Sequence, residues 1–343
     1  MSCSTQKGGQ SEQFLKKIQE ATSAATLRPN TFVPKQRTSN RPEENGSKTS
    51  RKKPKMNYVE LTDQAVESMR DRDPDEPVAM INLLKFRDVA DPNLGLETTS
   101  GRDCYFGHYI AGVPPIANRL EIGHSPLYLN DVNSCFFAST GEDWDYLLVP
   151  QYRSRRSFIE MITDSHYQEL LKYRSGALVN SRLIECVNEK PEGYPLHLNA
   201  SLPADPIIEQ PGLFKDPRVN EINDRDAEQP TDMLNLVRLA GTTKPNGGVD
   251  NMSGAQGYEE YRKGVTDLYA ERAGVKITWR AFPVATLIGP SDELWDEALI
   301  YHYLSRSRML SMFTDYEDYR VNHLPKRNAS IVDSRLIETT VGR

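Results

Sequence analysis

The chain has 343 residues, 42 Lys and Arg against 48 Asp and Glu, a formal net charge of −6, and 38% hydrophobic residues. That length leaves room for about two domains, and the low apolar fraction implies tail or linker beside a packed core. No stretch approaches the roughly 20 apolar residues of a membrane span and no secretory signal opens the chain, so a soluble protein without a membrane partner is expected.

In chain order, residues 1–56 hold 12 Lys/Arg and 4 Asp/Glu, leaving 30 against 44 for the remainder, so a +8 tail precedes a −14 body. The tail is rich in Ser, Thr, Gln, Asn and Pro without a sustained apolar period, which predicts disorder. Its run Arg51-Lys52-Lys53-Pro54-Lys55 reads first as a solvated charge cluster and second as a nuclear-import or nucleic-acid patch. The acidic body argues against nucleic acid as its partner. The four dispersed cysteines (Cys3, Cys104, Cys135, Cys186) form no CxxC pair and indicate neither a zinc site nor a disulfide framework. An intracellular, cytoplasmic setting is therefore expected, with nuclear or organelle targeting left open by the basic tail.

Val78–Phe86 is a short apolar run after Pro77 and before a turn-rich segment, which predicts a strand. Residues 103–121 place Tyr109, Val113, Ile116, Ala117 and Leu120 on one helical face, although Pro114-Pro115 should kink or restart that helix. Strands are predicted near 126–139 and 144–153. Ser154 is an expected N-cap for a second helix carrying Phe158, Met161 and Ile162, and a last strand spans 178–187.

The same series then recurs. Met80-Ile81-Asn82-Leu83 matches Met233-Leu234-Asn235-Leu236, Trp144-Asp145 matches Trp295-Asp296, and Ser181-Arg182-Leu183-Ile184-Glu185 matches Ser334-Arg335-Leu336-Ile337-Glu338. Tyr152-x-Ser154-Arg155 likewise matches Tyr303-x-Ser305-Arg306. The predicted fold class is α+β: two ferredoxin-like β-α-β-β-α-β repeats. Each would leave one sheet face bare, so the two are expected to pack sheet to sheet as an intramolecular pseudo-dimeric α/β barrel. The expected organisation is a disordered basic tail (1–56), a first repeat (57–188), a Pro-rich connection (189–229) and a second repeat (230–341). Such a chain is a monomeric pseudo-dimer, with further self-association open.

These residues resemble the group called domain of unknown function 1330, within the dimeric α/β-barrel superfamily. The resemblance rests on the segment from Tyr58 to Met69, the Met-x-Asn-Leu strand, Val113-Pro114-Pro115, Trp144-Asp145, the Tyr-x-Ser-Arg step, Asp164-Ser165-His166-Tyr167, and Arg174 ahead of Ser181-Arg182. It covers nearly all of residues 57–341. The proline usual in the Tyr-Pro-Ser-Arg step is Arg153 in one copy and Leu304 in the other, and the second copy lacks the Pro-Pro pair. The resemblance implies the barrel fold. Superfamily members include cofactor-free monooxygenases, cyclases, isomerases and heme-binding enzymes, so it leaves the activity open.

Similarity to the superfamily's cyclases implies a pocket between helices and sheet, faced by Asn82 and Asn235. Each amide could orient a substrate carbonyl or bond a neighbouring backbone group, and the second is favoured. On the third strand of each repeat, Tyr146 and Tyr152, and Glu297, Tyr301 and Tyr303, share that side. Glu297 in an apolar pocket would have a raised pKa and act as a base, which makes the second repeat the preferred location of a working pocket. Tyr167 and Tyr319 stand where the cyclases keep a histidine, and a tyrosine there is a proton donor rather than a base. Tyr258 and Tyr261 complete the expected lining. The candidate catalytic set is Glu297, Tyr319 and Asn235; the candidate substrate-binding set is Asn82, Tyr146, Tyr152, Tyr167, Tyr258, Tyr261, Tyr301 and Tyr303. Arg174, Arg327, Arg182 and Arg335 could fork onto an anion, but pairing with acids of the body is favoured.

The six histidines show no metal-ligand spacing, and no phosphate loop or serine-hydrolase elbow is present. No metal and no cofactor are called for. Three readings follow: a cofactor-independent enzyme acting on a small apolar or aromatic carbonyl compound by proton transfer, cyclisation or oxygenation; a non-catalytic small-molecule-binding or scaffold protein; and a heme-binding enzyme.

Overall fold

The computed structural model describes residues 57–96, 99–139, 141–202, 206–208, 227–245 and 247–341. The predicted tail with its 51–55 patch, and residues 209–226 of the connection, lie outside the described residues.

Alternation along the first strand, β1 (Val78–Phe86), sets the layers. Met80, Leu84 and Phe86 join a core under the helices, whereas Ala79, Ile81 and Leu83 join a separate apolar core inside a barrel. Helix α1 (Asp63–Arg70) precedes β1. After it come helix α2 (101–119), strands β2 (His124–Phe137) and β3 (Tyr146–Tyr152), helices α3 (Arg155–Thr163) and α4 (Ser165–Ala177), and strand β4 (Leu178–Val187). The second half runs β5 (Thr231–Leu239), α5 (Gly254–Tyr269), β6 (Lys276–Ile288), β7 (Glu297–Tyr303), α6 (Arg306–Thr314), α7 (319–330) and β8 (Ile331–Thr340). The fold is α+β, and its sheet is antiparallel throughout.

The eight strands close in the order β1-β3-β2-β8-β5-β7-β6-β4. The halves therefore do more than stack face to face: their edges hydrogen-bond, β2 to β8 and β4 to β6. Closure leaves no unpaired edge. The long strands β2 and β6 make it possible, bending at register shifts so that one strand serves both halves. As a result Phe136 and Phe137 at the end of β2 pack into the second half's helical core, and Leu287 and Ile288 of β6 pack into the first.

Ser154 and Ser305 cap α3 and α6, accepting from Ser157 N at 3.1 Å and Arg308 N at 3.3 Å. The Pro114-Pro115 pair does not break its helix. Segments Gly101–Cys104, Tyr105–Ile110 and Ala111–Arg119 run on as α2, the middle one wound as a wide π-helical turn. Helix α7 repeats the device, with a wide turn Tyr319–His323 followed by Leu324–Ser330 and its Pro325. Gly274, at φ +64°, lies in the turn between α5 and β6, and in the turn after α2 the left-handed residue is Glu121, at φ 52°.

Gly101 and Gly254 open α2 and α5 where backbones nearly touch. A Cβ on Gly101 would lie 2.4 Å from Ala177 O, and one on Gly254 would lie 2.1 Å from Ala240 O. No side chain fits at either place.

Two short segments dock alike on the two halves. Tyr58 N donates to Asn180 Oδ1 at 3.1 Å, and Tyr58 O accepts from Ser181 Oγ at 3.1 Å. Ile207 N donates to Asp333 Oδ1 at 2.7 Å, and Ile207 O accepts from Ser334 Oγ at 2.9 Å. Part of the connection thus belongs to the second half's packing. No helix among the described residues is long and apolar enough to cross a membrane.

Candidate functional site

Between the helices and the sheet of the first half lies a cavity of about 530 Å³. Its floor is Met80 and Asn82 of β1 with Leu148, Pro150 and Tyr152 of β3. Its walls are Tyr105, Phe106, Tyr109 and Val113 of α2, Phe158 and Ile162 of α3, and Tyr167 and Arg174 of α4. Ile288 of β6 reaches in from the other half, and α1 with the segment before it lines the mouth with the exposed Glu60, Asp63 and Glu67. The site is apolar at its base with a few convergent polar groups, the usual composition of a small-molecule site.

The structure places the open space in the half opposite to the one expected. Two features fill the matching region of the second half. Tyr301 stands where β3 has Pro150, and Phe137 stands where β6 supplies Ile288. At its border, Tyr194 of the connection packs on Phe282 with ring centroids 5.3 Å apart. Tyr258, Tyr261, Tyr301, Tyr303 and Tyr319 are all buried in that packing.

Glu297 is not a poised base in an open pocket. It lies at the start of β7, where Arg280 Nη2 reaches it at 2.7 Å and the Tyr194 hydroxyl donates to it. The expectation overlooked Arg280, which sits on the neighbouring strand and carries the charge that balances the carboxylate. Tyr319 opens α7 and shares a hydrogen bond of 3.2 Å with the Tyr261 hydroxyl. Asn235 donates its Nδ2 to Met233 O at 3.2 Å, and Asn82 does the same to Met80 O at 3.0 Å. In both halves the amide serves its own strand, and of the two Asn82 borders the cavity. Tyr146 lies outside the cavity lining, beneath the guanidinium of Arg102 at 5.1 Å.

Of the expected substrate-binding residues, the structure brings Asn82, Tyr152 and Tyr167 together around the cavity. It adds Tyr105, Tyr109 and Arg174. Tyr109 lies on the helical face predicted for α2, but its role depends on Tyr167 of α4. The two hydroxyls are 2.5 Å apart. Burial raises the pKa of Tyr109 and pushes that of Tyr167 well up, so both stay protonated near neutrality. In such a pair one hydroxyl donates to the other, and the acceptor keeps a proton to give to a ligand.

Arg174 is buried, and its Nη2 donates to Ser181 Oγ at 3.2 Å while Nη1 bonds Val59 O. Arg327 holds Ser334 Oγ at 3.0 Å and Ile208 O at 2.9 Å in the same way, under the ring of Phe137 at 5.2 Å. Arg182 and Arg335 are salt-bridged as favoured, but across the barrel. Arg182 Nε binds Glu293 at 2.6 Å and Arg335 Nε binds Glu142 at 2.5 Å, each half reaching the other's acid. Glu185 and Glu338 take Arg155 and Arg306 instead, at 2.6 and 2.5 Å.

Among the histidines, His124 borders the cavity, with its ring stacked on Tyr152 and its Nε2 sealed from solvent. A heme iron would need an exposed imidazole nitrogen there, and His124 does not present one. No cluster of three or more His, Cys, Asp or Glu among the described residues could hold a metal ion. Burial lowers the pKa of His124 and of His323. The unfolded chain binds these protons more readily, so stability should be complete above about pH 6.5 and fall as pH drops through it. Urea midpoints at pH 7.5 and 5.5 should show that loss, and His323→Gln should reduce the difference.

Fold and site together define an antiparallel α+β barrel with a helix-covered cavity in its first half. No family profile and no curated protein matches the chain. Among solved structures, RPA0582, a protein of unknown function from Rhodopseudomonas palustris, is 29% identical over 40% of this chain and 100% of its own, at a TM-score of 0.35. A mutant chlorite dismutase from Candidatus Nitrospira defluvii is 8% identical over 78% of this chain and 93% of its own, at a TM-score of 0.38. A heme-binding protein from Thermus thermophilus is 8% identical over 78% of this chain and 95% of its own, at a TM-score of 0.36. Likenesses this slight carry no argument about chemistry.

Proposed function

We propose that the first-half cavity is the working site. There the chain binds a small apolar or aromatic carbonyl compound and stabilises negative charge on its oxygen, as a cofactor-independent enzyme of the proton-transfer or cyclisation type. The observation that supports this reading is the protonated Tyr109–Tyr167 pair, 2.5 Å apart on the wall of an otherwise largely apolar cavity. Hydroxyls fixed before the ligand arrives need no reorganisation when charge develops on the carbonyl oxygen. The proposal includes the architecture behind the site: two copies of one ferredoxin-like unit, 57–188 and 230–341, the second having its pocket filled by Tyr301 and Phe137. Glu297, Tyr319 and Asn235 then hold the filled half together.

A second reading, a non-catalytic binding protein, is favoured by one observation. The carboxylates lining the cavity, Glu60, Asp63 and Glu67, are exposed at its mouth, and none is buried beside the tyrosines. Native mass spectrometry of the full chain with a panel of aromatic ketones tests the site. Binding is expected to be lost in Ile288→Phe, which brings in the second half's larger ring. A panel that binds neither protein, or both equally, removes the cavity reading. For a ligand that binds, Tyr167→Phe should weaken affinity about tenfold. A turnover loss well beyond the affinity loss would select the enzyme over the binder.

A further inference from the structure

Arg174 has five N–H donors, and its described partners are neutral: Val59 O, Ser181 Oγ and the nearby tyrosine hydroxyls. No carboxylate among the described residues lies within 4.0 Å of it, whereas every other buried arginine of the first half has one. Arg155 has Glu185 and Glu76, and Arg182 has Glu293 and Glu142. A buried guanidinium facing only neutral dipoles is under-compensated. In the second half Arg327 is in the same position but is closed over by Phe137. In the first half the counterpart of Phe137 is Ile288, and Arg174 opens onto the cavity. The acids at the mouth are exposed and screened by water, so the field deep in the cavity comes from Arg174 and the hydroxyl protons around it.

We propose that the ligand is a carboxylic acid. Its carboxylate sits between Arg174 and the hydroxyls of Tyr105, Tyr109 and Tyr167, and its apolar or aromatic body lies against Met80, Leu148, Pro150, Phe158, Ile162 and Ile288. This rests on the cavity being the working site and narrows the carbonyl compound to one that is also an acid, a keto acid or an aryl acid. Charge-assisted hydrogen bonds to a buried guanidinium are the strong kind, and a neutral amide of the same shape cannot replace them.

Isothermal titration of the full chain with benzoate, phenylacetate and 3-phenylpropionate, each against its primary amide, separates the possibilities. At least one acid is expected to bind about tenfold more tightly than its amide. Arg174→Met should remove that preference by weakening the acid much more than the amide, and Ile288→Phe should weaken acid and amide alike. Because Arg174 also ties Val59 and Ser181, its variant could unfold; the acid-to-amide ratio on the unmodified chain then decides. Amides that bind as tightly as acids, with Ile288→Phe weakening both, overturn the carboxylate and keep the cavity. If nothing binds, or if binding is unaffected by Ile288→Phe, both readings fail.

Discussion

Replacing Glu142 by alanine is expected to lower the unfolding free energy by about 2–3 kcal/mol, the loss of charge-assisted hydrogen bonds to two buried guanidiniums. Glu142 precedes β3, yet its carboxylate serves the seam between the halves. Oε2 accepts from Arg335 Nε at 2.5 Å, and Oε1 lies 3.4 Å from Arg335 Nη2 and 3.5 Å from Arg182 Nη2. All three side chains are about 5–6% exposed. The guanidinium of Arg335 also lies over Trp295 at 5.0 Å, and that of Arg182 over Trp144 at 5.1 Å, so neither can easily swing out to water. Glu293 stays on Arg182 and Asp333 on Arg335, so each cation keeps one acid and the variant stays folded while both guanidiniums lose an acceptor. Urea unfolding measures the loss, and a double-mutant cycle with Arg335→Met isolates the pair. A loss below about 1 kcal/mol, the range of exposed ion pairs, would mean that water enters the seam.

The parts of this fold that depend on neighbours in sequence were readable. Alternation in Met80-Ile81-Asn82-Leu83 separates two strand faces, the resemblance turns the Asn82 face to the helices, and the serine caps announce α3 and α6 from their own side chains. The positions of Asn82, Tyr152 and Tyr167 on the pocket side followed from the same alternation and from a resemblance. Partners chosen by the closed barrel were not readable. The acid bound by Arg182 lies 111 residues away in the other half, and Tyr194 reaches Glu297 across 103 residues. Glu297 resembled a base because its strand neighbours are apolar. Its Arg280 comes from β6, whose side of the pairing is decided by register shifts that leave no local signature.

Which half would be open was partly in view, since Pro150 opposite Tyr301 is visible on aligning the repeats. The weight of that difference was not. A proline beside Tyr152 reads as a strand irregularity, and only packing shows that it leaves the volume a tyrosine ring fills in the other copy. Ile288 and Phe137 were harder still, because each end of β2 and β6 crosses into the opposite half's core. The expectation for Arg174 failed for the opposite reason: salt bridging is the usual fate of an arginine in an acidic body, and this one faces a cavity.

Tyr301 offers the sharpest test that the halves differ in packing. Its side chain is 3% exposed among Tyr258, Tyr261 and Tyr303, and its hydroxyl is buried with no hydrogen-bond partner among the described residues. Tyr301→Ala should therefore cost about 3–5 kcal/mol, since the ring's contacts go and a cavity replaces them. Tyr301→Phe should be neutral or stabilising by about 1 kcal/mol, because it removes a hydroxyl whose desolvation is not compensated. The matched pair Tyr303→Ala and Tyr152→Ala extends the comparison to equivalent positions. Both are buried, but Tyr303 lies in the filled core of the second half whereas Tyr152 borders the 530 Å³ cavity. Tyr152→Ala should be the milder of the two by about 1 kcal/mol or more. Thermal and urea unfolding of the four variants decide the matter. Equal losses at Tyr152 and Tyr303 would mean that the first half is packed as tightly as the second. A destabilising Tyr301→Phe would mean that a buried water bonds the hydroxyl and that the second half keeps a polar remnant of a pocket.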